Sequence, residues 1–467
     1  MKLNASVLGV MLALSSPVMA AEEGEAAVNA QSNMEVVSSA PESVSPAKVS
    51  LKETKAALLS KKIEMLRKSV KESTPAKSGF SFFSSASKPI DAELLAEAQQ
   101  LFGQYSTLPE TDEVLHLQAL LHMRMNNYPA AALDWMLLKV MYPNSTFVAV
   151  ANKQLKALSD DELKKQATVI DKLNKKITTL SGETDQRAGT FLEFLGTFRE
   201  ESFAPAIASG CSNFLLRNEN YSSEDVIESA IAHQFVMIDS DVALYRFNKL
   251  LALYPDSYLR ANSYYSIASI QRDKQKNYDA AAKSFATLID NHPDSNEAKL
   301  GYEALATMYN EDMKQYPNAI KTYDAIIAKY KDDPIVLRAL MAQAKVYESR
   351  MDNPSKAIDS YLKLADIFDK GQDGLNALKE AEKLAEKSIK NWNQAIAIND
   401  RIIARVPNSD DSANALFLNA NLTESKLGDK EGAKVLYQQV VKDYSAHKLS
   451  KDAQKRIEAI EKEAAKK

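Results

Sequence analysis

Cysteine and glycine are scarce in this sequence, and each shortage excludes a class of structure. Cys211 is the only cysteine among 467 residues, so the chain forms no internal disulfide and no cysteine-based metal cluster. Its 13 glycines are few for a fold built from tight turns and β-hairpins, which use glycine heavily. The composition therefore favours a helical protein over an all-β one.

The chain also lacks a strongly basic region of domain size, and its formal net charge at pH 7 is −4. Nucleic-acid binding therefore has no electrostatic support. Beyond a short apolar stretch near the N-terminus, no segment stays apolar for the roughly 20 residues that a membrane-spanning helix needs. We expect no nucleic-acid partner and no transmembrane span.

Motifs for catalysis, cofactors and metals are missing as well. There is no Walker loop, GxGxxG or GxSxG, and the five histidines share no metal-binding spacing. Asp369, Asp373 and Glu380 fall at EF-hand positions, but Gly371 occupies a ligand position, so we interpret the segment as a turn. We expect no catalytic, cofactor-binding or metal-binding residue. An enzyme stays an alternative that only residues 91–220 have room for.

The N-terminus has the pattern of a secretory signal over residues 1–20. Lys2 precedes an apolar stretch, Val7 to Leu14, and Val18-Met19-Ala20 places small residues where a signal peptidase cleaves. We therefore expect export and a periplasmic location. Residues 21–50 are rich in Ala, Glu, Ser and Pro, which predicts disorder because such a segment buries too little apolar surface.

Residues 51–72 form a predicted amphipathic helix followed by a linker over residues 73–90. Apolar residues recur at alternating spacings of three and four, as in the seam of a coiled coil. These residues are Ala56, Leu59, Ile63, Leu66 and Val70. Two interpretations stay open: a coiled coil that makes the protein oligomeric, or one helix lying on the main domain.

A repeat with a constant 38-residue period occupies the second half of the chain. One register holds small residues: Ala243, Ala281, Ala319, Ala357, Ala395 and Ala433. Four positions after each of these stands an aromatic, except in the fifth copy: Phe247, Phe285, Tyr323, Tyr361, Asn399 and Tyr437. A second register of small residues lies upstream: Ala230, Ala268, Ala306, Ala344 and Ala420. Each unit therefore predicts two amphipathic helices whose backbones meet at small residues, and one such pair has to stack on its neighbours to bury its apolar face.

The resulting organisation has three helical parts after the linker. Residues 91–221 form an irregular helical domain with one similar unit near Ala131. Residues 222–448 hold six 38-residue repeats, and residues 449–467 form a capping helix. The fifth unit departs from the pattern twice, with Glu382 at the small position of its first helix and Asn399 at the aromatic position of its second. We expect these two residues to pack near each other, in a unit that is either loose or adapted to a partner.

The positions Tyr264, Ala268, Ala281, Phe285 and Pro293 resemble the tetratricopeptide repeat, whose period is commonly about 34 residues. The resemblance implies an all-α fold, an α-solenoid that is a superhelix of antiparallel helix pairs. It also implies that peptides or helices of partner proteins bind on a concave surface lined by the first helix of each pair. The groove residues implied in this way are Asn262, Tyr265, Ser269, Arg338, Lys345, Asn376, Lys379, Lys383, Asn414, Phe417 and Asn421.

The order of signal, short helix, linker and repeats is similar to that of the cell-division coordinators that bind TolA. The segment Tyr254-Pro255-Asp256-Ser257 resembles the repeats of outer-membrane assembly lipoproteins, although the lipid-bearing cysteine of those proteins is absent here. We therefore expect a non-enzymatic scaffold of the bacterial cell envelope with protein partners. The alternative is a subunit of an envelope export or motility machine, serving polysaccharide secretion, a pilus or a flagellar motor.

Overall fold

The computed structural model describes residues 51–73, 89–218, 220–331 and 333–465. The predicted signal peptide, the predicted disordered segment and residues 74–88 of the predicted linker lie outside these residues. The chain divides into two compact units, residues 1–54 and residues 55–467. The described part consists of α-helices with short 3-10 and π turns and contains no strand, so the predicted all-α class is confirmed.

The N-terminal helices are irregular in length and connection. They are α1 (Leu51–Ser73), α2 (Pro89–Tyr105), α3 (Asp112–Arg124), α4 (Tyr128–Met141), α5 (Val148–Asp160), α6 (Ala167–Ile177), α7 (Thr184–Leu195) and α8 (Ala204–Arg217). The apolar core of this part continues into the repeats, as far as Ile270. None of the helices in the described ranges is long and apolar enough to cross a membrane.

From Lys55 onward, helix α1 lies on the helical domain that follows it. Its apolar seam is buried there; Leu66, for example, is only 1% exposed and shares a core with Leu94 and Leu121. Arg124 on α3 donates a hydrogen bond of 3.1 Å to the carbonyl of Val70. Residues 51–72 had two interpretations, a coiled coil or one helix lying on the main domain. The structure shows the second arrangement, in which the chain itself covers the apolar seam.

The six repeats follow as regular helix pairs. The first helices are α9 (Glu224–Ile238), α11 (Arg260–Asp273), α13 (Asn296–Glu311), α15 (Pro334–Ser349), α17 (Gln372–Leu384) and α19 (Asp410–Ser425). The second helices are α10 (Ser240–Leu253), α12 (Tyr278–Asn291), α14 (Tyr316–Lys329), α16 (Pro354–Ile367), α18 (Trp392–Arg405) and α20 (Lys430–Asp443). A last helix, α21 (Lys448–Ala464), packs against α20. Each helix contacts the next along the chain, which is the packing of an α-solenoid.

Small residues hold each pair together. The six alanines of the second helices, from Ala243 to Ala433, are all fully buried, and so is Ala268 on a first helix. An alanine at the contact lets two helix backbones approach closely, and the aromatic one turn later fills the groove beside it. Phe285 and Tyr437 occupy that position and are fully buried. The repeat alignment therefore identifies the packed positions correctly.

The turns inside the second to sixth repeats recur with the same 38-residue period. Each contains a residue with left-handed backbone: Lys276, Lys314, Asp352, Lys390 and Gly428, with φ between 47° and 74°. The following residue is Asn or Asp in four of these five turns and caps the second helix; Asn353, for example, accepts a hydrogen bond of 3.1 Å from the amide of Lys356. These caps satisfy amides that a helix N-terminus leaves unpaired, so they fix where each second helix begins.

The fifth repeat differs from the others at the end of its first helix. After α17 the backbone passes through a π-helical turn, Ala385–Ile389, before the left-handed residue Lys390. The amide of Asn391 still donates to the carbonyl of Ala385, as the amide of Asn353 does to that of Tyr347 in the repeat before, so the repeat register is kept. π turns often mark functional sites, which draws attention to this unit.

Candidate functional site

Every groove residue implied by the sequence lies on a first helix. Asn262, Tyr265 and Ser269 belong to α11, and Arg338 and Lys345 to α15. The others lie on α17 and α19: Asn376, Lys379, Lys383, Asn414, Phe417 and Asn421. Their part in binding stays a prediction, and their surroundings divide them into four groups.

Two of the cations connect neighbouring repeats. Nε of Arg338 on α15 lies 2.7 Å from the Glu303 carboxylate on α13. Nζ of Lys379 on α17 lies 2.5 Å from the Asp411 carboxylate on α19. Both pairs run from one first helix to the next, so they align the helices that form this face. The Arg338 side chain is still 55% exposed and remains accessible from solvent.

The other two basic residues, Lys345 and Lys383, form no ion pair with a neighbouring helix within the described residues. Lys345 is exposed and forms no ion pair within the described part of the chain. Lys383 pairs only with Glu380 on its own helix, with the charged atoms 3.3 Å apart. Neither lysine has to leave a partner on another helix to receive an anionic group.

Three of the asparagines form hydrogen bonds with residues of their own helix. Exposed Asn376 accepts a hydrogen bond of 2.8 Å from Gln372, and exposed Asn414 donates one of 2.7 Å to the Asp410 carbonyl. Asn421 accepts a hydrogen bond from Ser425, one turn later on the same helix. Exposed asparagine side chains with such local bonds can exchange them for bonds to a ligand at little cost.

The remaining residues are partly buried: Asn262, Tyr265, Ser269 and Phe417. Asn262 accepts a hydrogen bond of 3.0 Å from His233 on α9, so it joins the first two repeats. Tyr265 packs edge-on against the aromatic ring of its own repeat, Phe285, and Phe417 packs in the same way in the sixth repeat. Ser269 is half-buried, and its hydroxyl has no hydrogen-bond partner among the described residues. Tyr265 and Phe417 therefore serve the packing of their own helix pairs.

The structure brings Lys379 and Asn414 together at an open pocket of about 190 Å³ between the fifth and sixth repeats. We call this cavity the fifth-repeat pocket. Three helices line it: α17 with Lys379 and Glu382, α18 with Asn399 and Ile402, and α19 with Asp411, Asn414, Ala415 and Leu418. The first helices α17 and α19 form its sides, and the second helix α18 contributes its inner wall.

The pocket exists because the fifth unit lacks both residues that fill this space elsewhere. Glu382 stands where the other first helices have a buried alanine, such as Ala344 or Ala420. Asn399 stands where the other second helices have a large ring, such as Tyr437. Both residues line the pocket, as the repeat alignment predicts.

The two residues bring unsatisfied polar atoms into the pocket. Asn399 is 2% exposed, and its Nδ2 has no hydrogen-bond partner among the described residues. The same holds for Oε1 of Glu382. Burial, reinforced by the neighbouring Glu386 carboxylate and opposed by Lys387, raises the pKa of Glu382 to about 7. Buried polar atoms normally find partners, so the pair calls for an explanation.

Sequence reasoning singled out Glu382 and Asn399 as departures from the repeat but did not include them among the groove residues. Their signal was the break in pattern at two positions that face each other. Asp411 and Leu418 gave no such signal, because both fit an ordinary first helix. In the described ranges no group of three metal-ligating side chains comes together. Within the described residues, Nδ2 of Asn399 is an unpaired hydrogen-bond donor and Oε1 of Glu382 an unpaired acceptor.

Comparison with known proteins identifies the repeat. The family model of the tetratricopeptide repeat matches residues 262–295 and 303–333. A solved tetratricopeptide repeat protein from Parabacteroides merdae ATCC 43184 is 17% identical, with 50% of this chain and 90% of that chain covered and a TM-score of 0.27. Naa15/Naa10 bound to HypK-THB is 14% identical, with 88% and 74% covered and a TM-score of 0.30. No curated protein is significantly similar to the chain.

The TPR domain of P58(IPK) is another similar structure, 13% identical, with 82% of this chain and 98% of that chain covered and a TM-score of 0.21. The matched segments 262–295 and 303–333 coincide with the second and third helix pairs, α11 to α14. The same 38-residue geometry continues on both sides of them. Residues 262–295 and 303–333 therefore match the tetratricopeptide repeat, and the helix pairs on both sides of them follow the same period.

Proposed function

We propose that this chain is a non-enzymatic scaffold of the bacterial cell envelope that binds segments of partner proteins on the face formed by its first helices. The observation that carries the proposal is the series of first helices, connected from one repeat to the next by the Arg338–Glu303 and Lys379–Asp411 pairs, with exposed polar residues along them. Such a face offers a row of hydrogen-bond donors and cations to an extended chain. Arg338 and Lys345 are suited to partner carboxylates.

The proposed location is the periplasm, after removal of residues 1–20. It is supported by the signal-like pattern of that segment and by the order of elements, which resembles that of the TolA-binding coordinators. Expression in a Gram-negative host, fractionation and mass spectrometry test it: we expect a chain in the periplasm that begins at Ala21. A full-length chain in the cytoplasm would contradict the location without touching the binding proposal.

A peptide-display selection tests the binding face. Random peptides are selected on the purified chain, and the affinities of enriched peptides are then measured for Arg338→Glu/Lys345→Glu. We expect a loss of about tenfold or more, because each reversal replaces an attraction by a repulsion of about 1 kcal/mol. A subunit of an export or motility machine would use the same face, so the partner whose sequence matches the peptides separates the two roles.

The chain offers a matched control on the other side of the repeats. Arg401 on α18 pairs with Asp366 on α16, as Arg338 pairs with Glu303, but this pair joins second helices. Lys363 is exposed on α16, as Lys345 is on α15. Arg401→Glu/Lys363→Glu therefore changes the net charge equally and is expected to leave peptide affinity unchanged. Equal losses in both double variants would show a non-specific charge effect and reject the face.

A further inference from the structure

We propose that the fifth-repeat pocket is a subsite that receives the side-chain carboxamide of a glutamine or asparagine on the bound partner segment. The inference rests on the proposed function, because the partner has to lie along the first helices to reach the pocket. It adds a requirement for one residue type at one position of the partner.

Because of its position, the pocket can be reached by a side chain of the partner but not by the partner's main chain. Lys379 and Asn414 stand at its rim on the first helices, whereas Asn399 lies behind them on the second helix. Asn399 is only 2% exposed, so a backbone that runs across the first helices does not come within bonding distance of it. A side chain that enters between α17 and α19 does.

The two atoms without hydrogen-bond partners determine which groups that side chain has to carry. Nδ2 of Asn399 needs an acceptor, and Oε1 of Glu382 needs a donor. A carboxamide carries an acceptor oxygen and a donor nitrogen on one carbon, so a single group supplies both. Both atoms are without a partner among the described residues, which makes their pairing by a ligand favourable.

Charged and apolar side chains fail at least one of the two requirements, and a hydroxyl offers its donor and its acceptor on a single atom, whereas a carboxamide separates them onto two. A partner lysine or arginine has no acceptor for Asn399. A partner carboxylate has no donor for Glu382 and is repelled by it when Glu382 is ionised. An apolar side chain would leave both buried atoms unpaired. Sites built to hydrogen-bond a ligand discriminate strongly against analogues that lack the bonding groups.

The two departures from the repeat support a ligand site because they occur together. In the sixth unit, Ala420 and Tyr437 fill the corresponding space, and the Tyr437 hydroxyl donates a hydrogen bond to Glu424. A single substitution would leave either a void or a buried charge. Here the fifth unit has replaced both residues by polar ones on facing walls, and the register of the surrounding turns is intact.

The test compares the wild-type chain with a filled variant, Glu382→Ala/Asn399→Tyr, which restores the residues of the sixth unit. Random peptides are again selected by display on the wild-type chain, and the affinities of the enriched peptides are measured for both chains. We expect enriched peptides to share a glutamine or asparagine at one position and to bind the filled variant at least tenfold more weakly. A melting curve verifies that the filled variant is folded.

A second comparison alters the peptide in place of the protein. Replacing the shared glutamine or asparagine by glutamate or by norvaline should weaken binding to the wild-type chain about tenfold and leave binding to the filled variant unchanged. Such coupling is expected only if the carboxamide occupies the pocket.

The outcomes separate this inference from the proposed function. Peptides that bind both chains equally, yet lose affinity for Arg338→Glu/Lys345→Glu, would overturn the carboxamide subsite and leave the binding face in place. The absence of any enriched peptide would overturn both. The enriched peptides could instead share a different residue, whose replacement weakens binding to the wild-type chain but not to the filled variant. That result would place a different side chain in the pocket and also reject the carboxamide.

Discussion

Glu382 on α17 and Asn399 on α18 line one pocket, and each keeps a buried polar atom without a hydrogen-bond partner among the described residues. In every other repeat an alanine occupies the first of these positions and an aromatic residue the second. The pair is therefore a local exception in an array that otherwise repeats its packing with a constant period. Natural proteins break their own packing rules mainly at functional sites, at some expense in stability.

The first prediction concerns the cost of the pocket to the free energy of unfolding. Asn399→Tyr should raise the free energy of unfolding by about 1 kcal/mol, because it fills the cavity and removes a buried amide without a partner. The matched change Tyr437→Asn, in the sixth repeat, should lower it by about 3 kcal/mol, because it empties a filled position. Urea denaturation measures both. A destabilised Asn399→Tyr would mean that the pocket is needed for packing.

The second prediction concerns pH and Glu382. Folding raises the pKa of this carboxyl from 4.5 to about 7, chiefly through burial. Between these values the native chain binds more protons than the unfolded chain, so this group makes stability fall as pH rises through that window. Glu382→Gln removes the effect. The melting temperature of Glu382→Gln relative to wild type should therefore increase from pH 5 to pH 8.

A control for the pH series is available in the same helix. The Glu380 side chain is 47% exposed and pairs with Lys383, so Glu380→Gln makes the same chemical change outside the pocket. If the pH dependence of Glu382→Gln equals that of Glu380→Gln, burial in the fifth-repeat pocket does not perturb the Glu382 carboxyl.

The third prediction concerns the Lys379–Asp411 pair at the rim. Both side chains are more than a third exposed, so solvent screens their attraction. A double-mutant cycle with Lys379→Ala and Asp411→Ala should give a coupling free energy of unfolding of at most about 1 kcal/mol. A coupling well above that value would contradict the expected screening and show that the pair holds the fifth and sixth repeats together.

The fourth prediction concerns α1. Leu66→Ala should destabilise the chain by about 3 kcal/mol, because Leu66 is buried in the core shared with α2 and α3 and its truncation leaves a cavity. The exposed neighbour Met65, at 66% exposed, is the control, and Met65→Ala should change stability by less than about 0.5 kcal/mol. Equal effects would mean that α1 leaves the domain in solution and exposes its seam for association.

The repeats could be predicted from sequence because their physics is local and periodic. Alanines such as Ala281 and rings such as Phe285 recur at fixed spacing, and each spacing corresponds to one face of one helix. The helices α5 to α8 share no such period, so their packing followed only from the three-dimensional structure. The left-handed backbone of the turn residues could not be predicted either, because most of them are lysines, which have no preference for that conformation.

The candidate site was predictable in part. Sequence placed Lys379 and Asn414 on first helices and marked Glu382 and Asn399 as neighbours. It did not predict that Arg338 is paired with Glu303, because an ion pair between repeats depends on side-chain geometry across two helices. Nor did it separate Tyr265, which packs on an aromatic ring of its own repeat, from residues open to a partner. Burial within a helix face is decided by the neighbouring helix, which a single-helix pattern does not contain.

Site-specific photo-crosslinking tests the central claim most directly, that partners bind along the first helices. A photoreactive amino acid replaces Asn376 on α17 or Asn421 on α19, and in control chains it replaces Lys363 on α16 or Val435 on α20, all of them exposed positions. With a display-selected peptide, we expect crosslinks at 376 and 421 and none above background at 363 and 435. Crosslinks confined to 363 and 435, or equal at all four positions, would contradict the account.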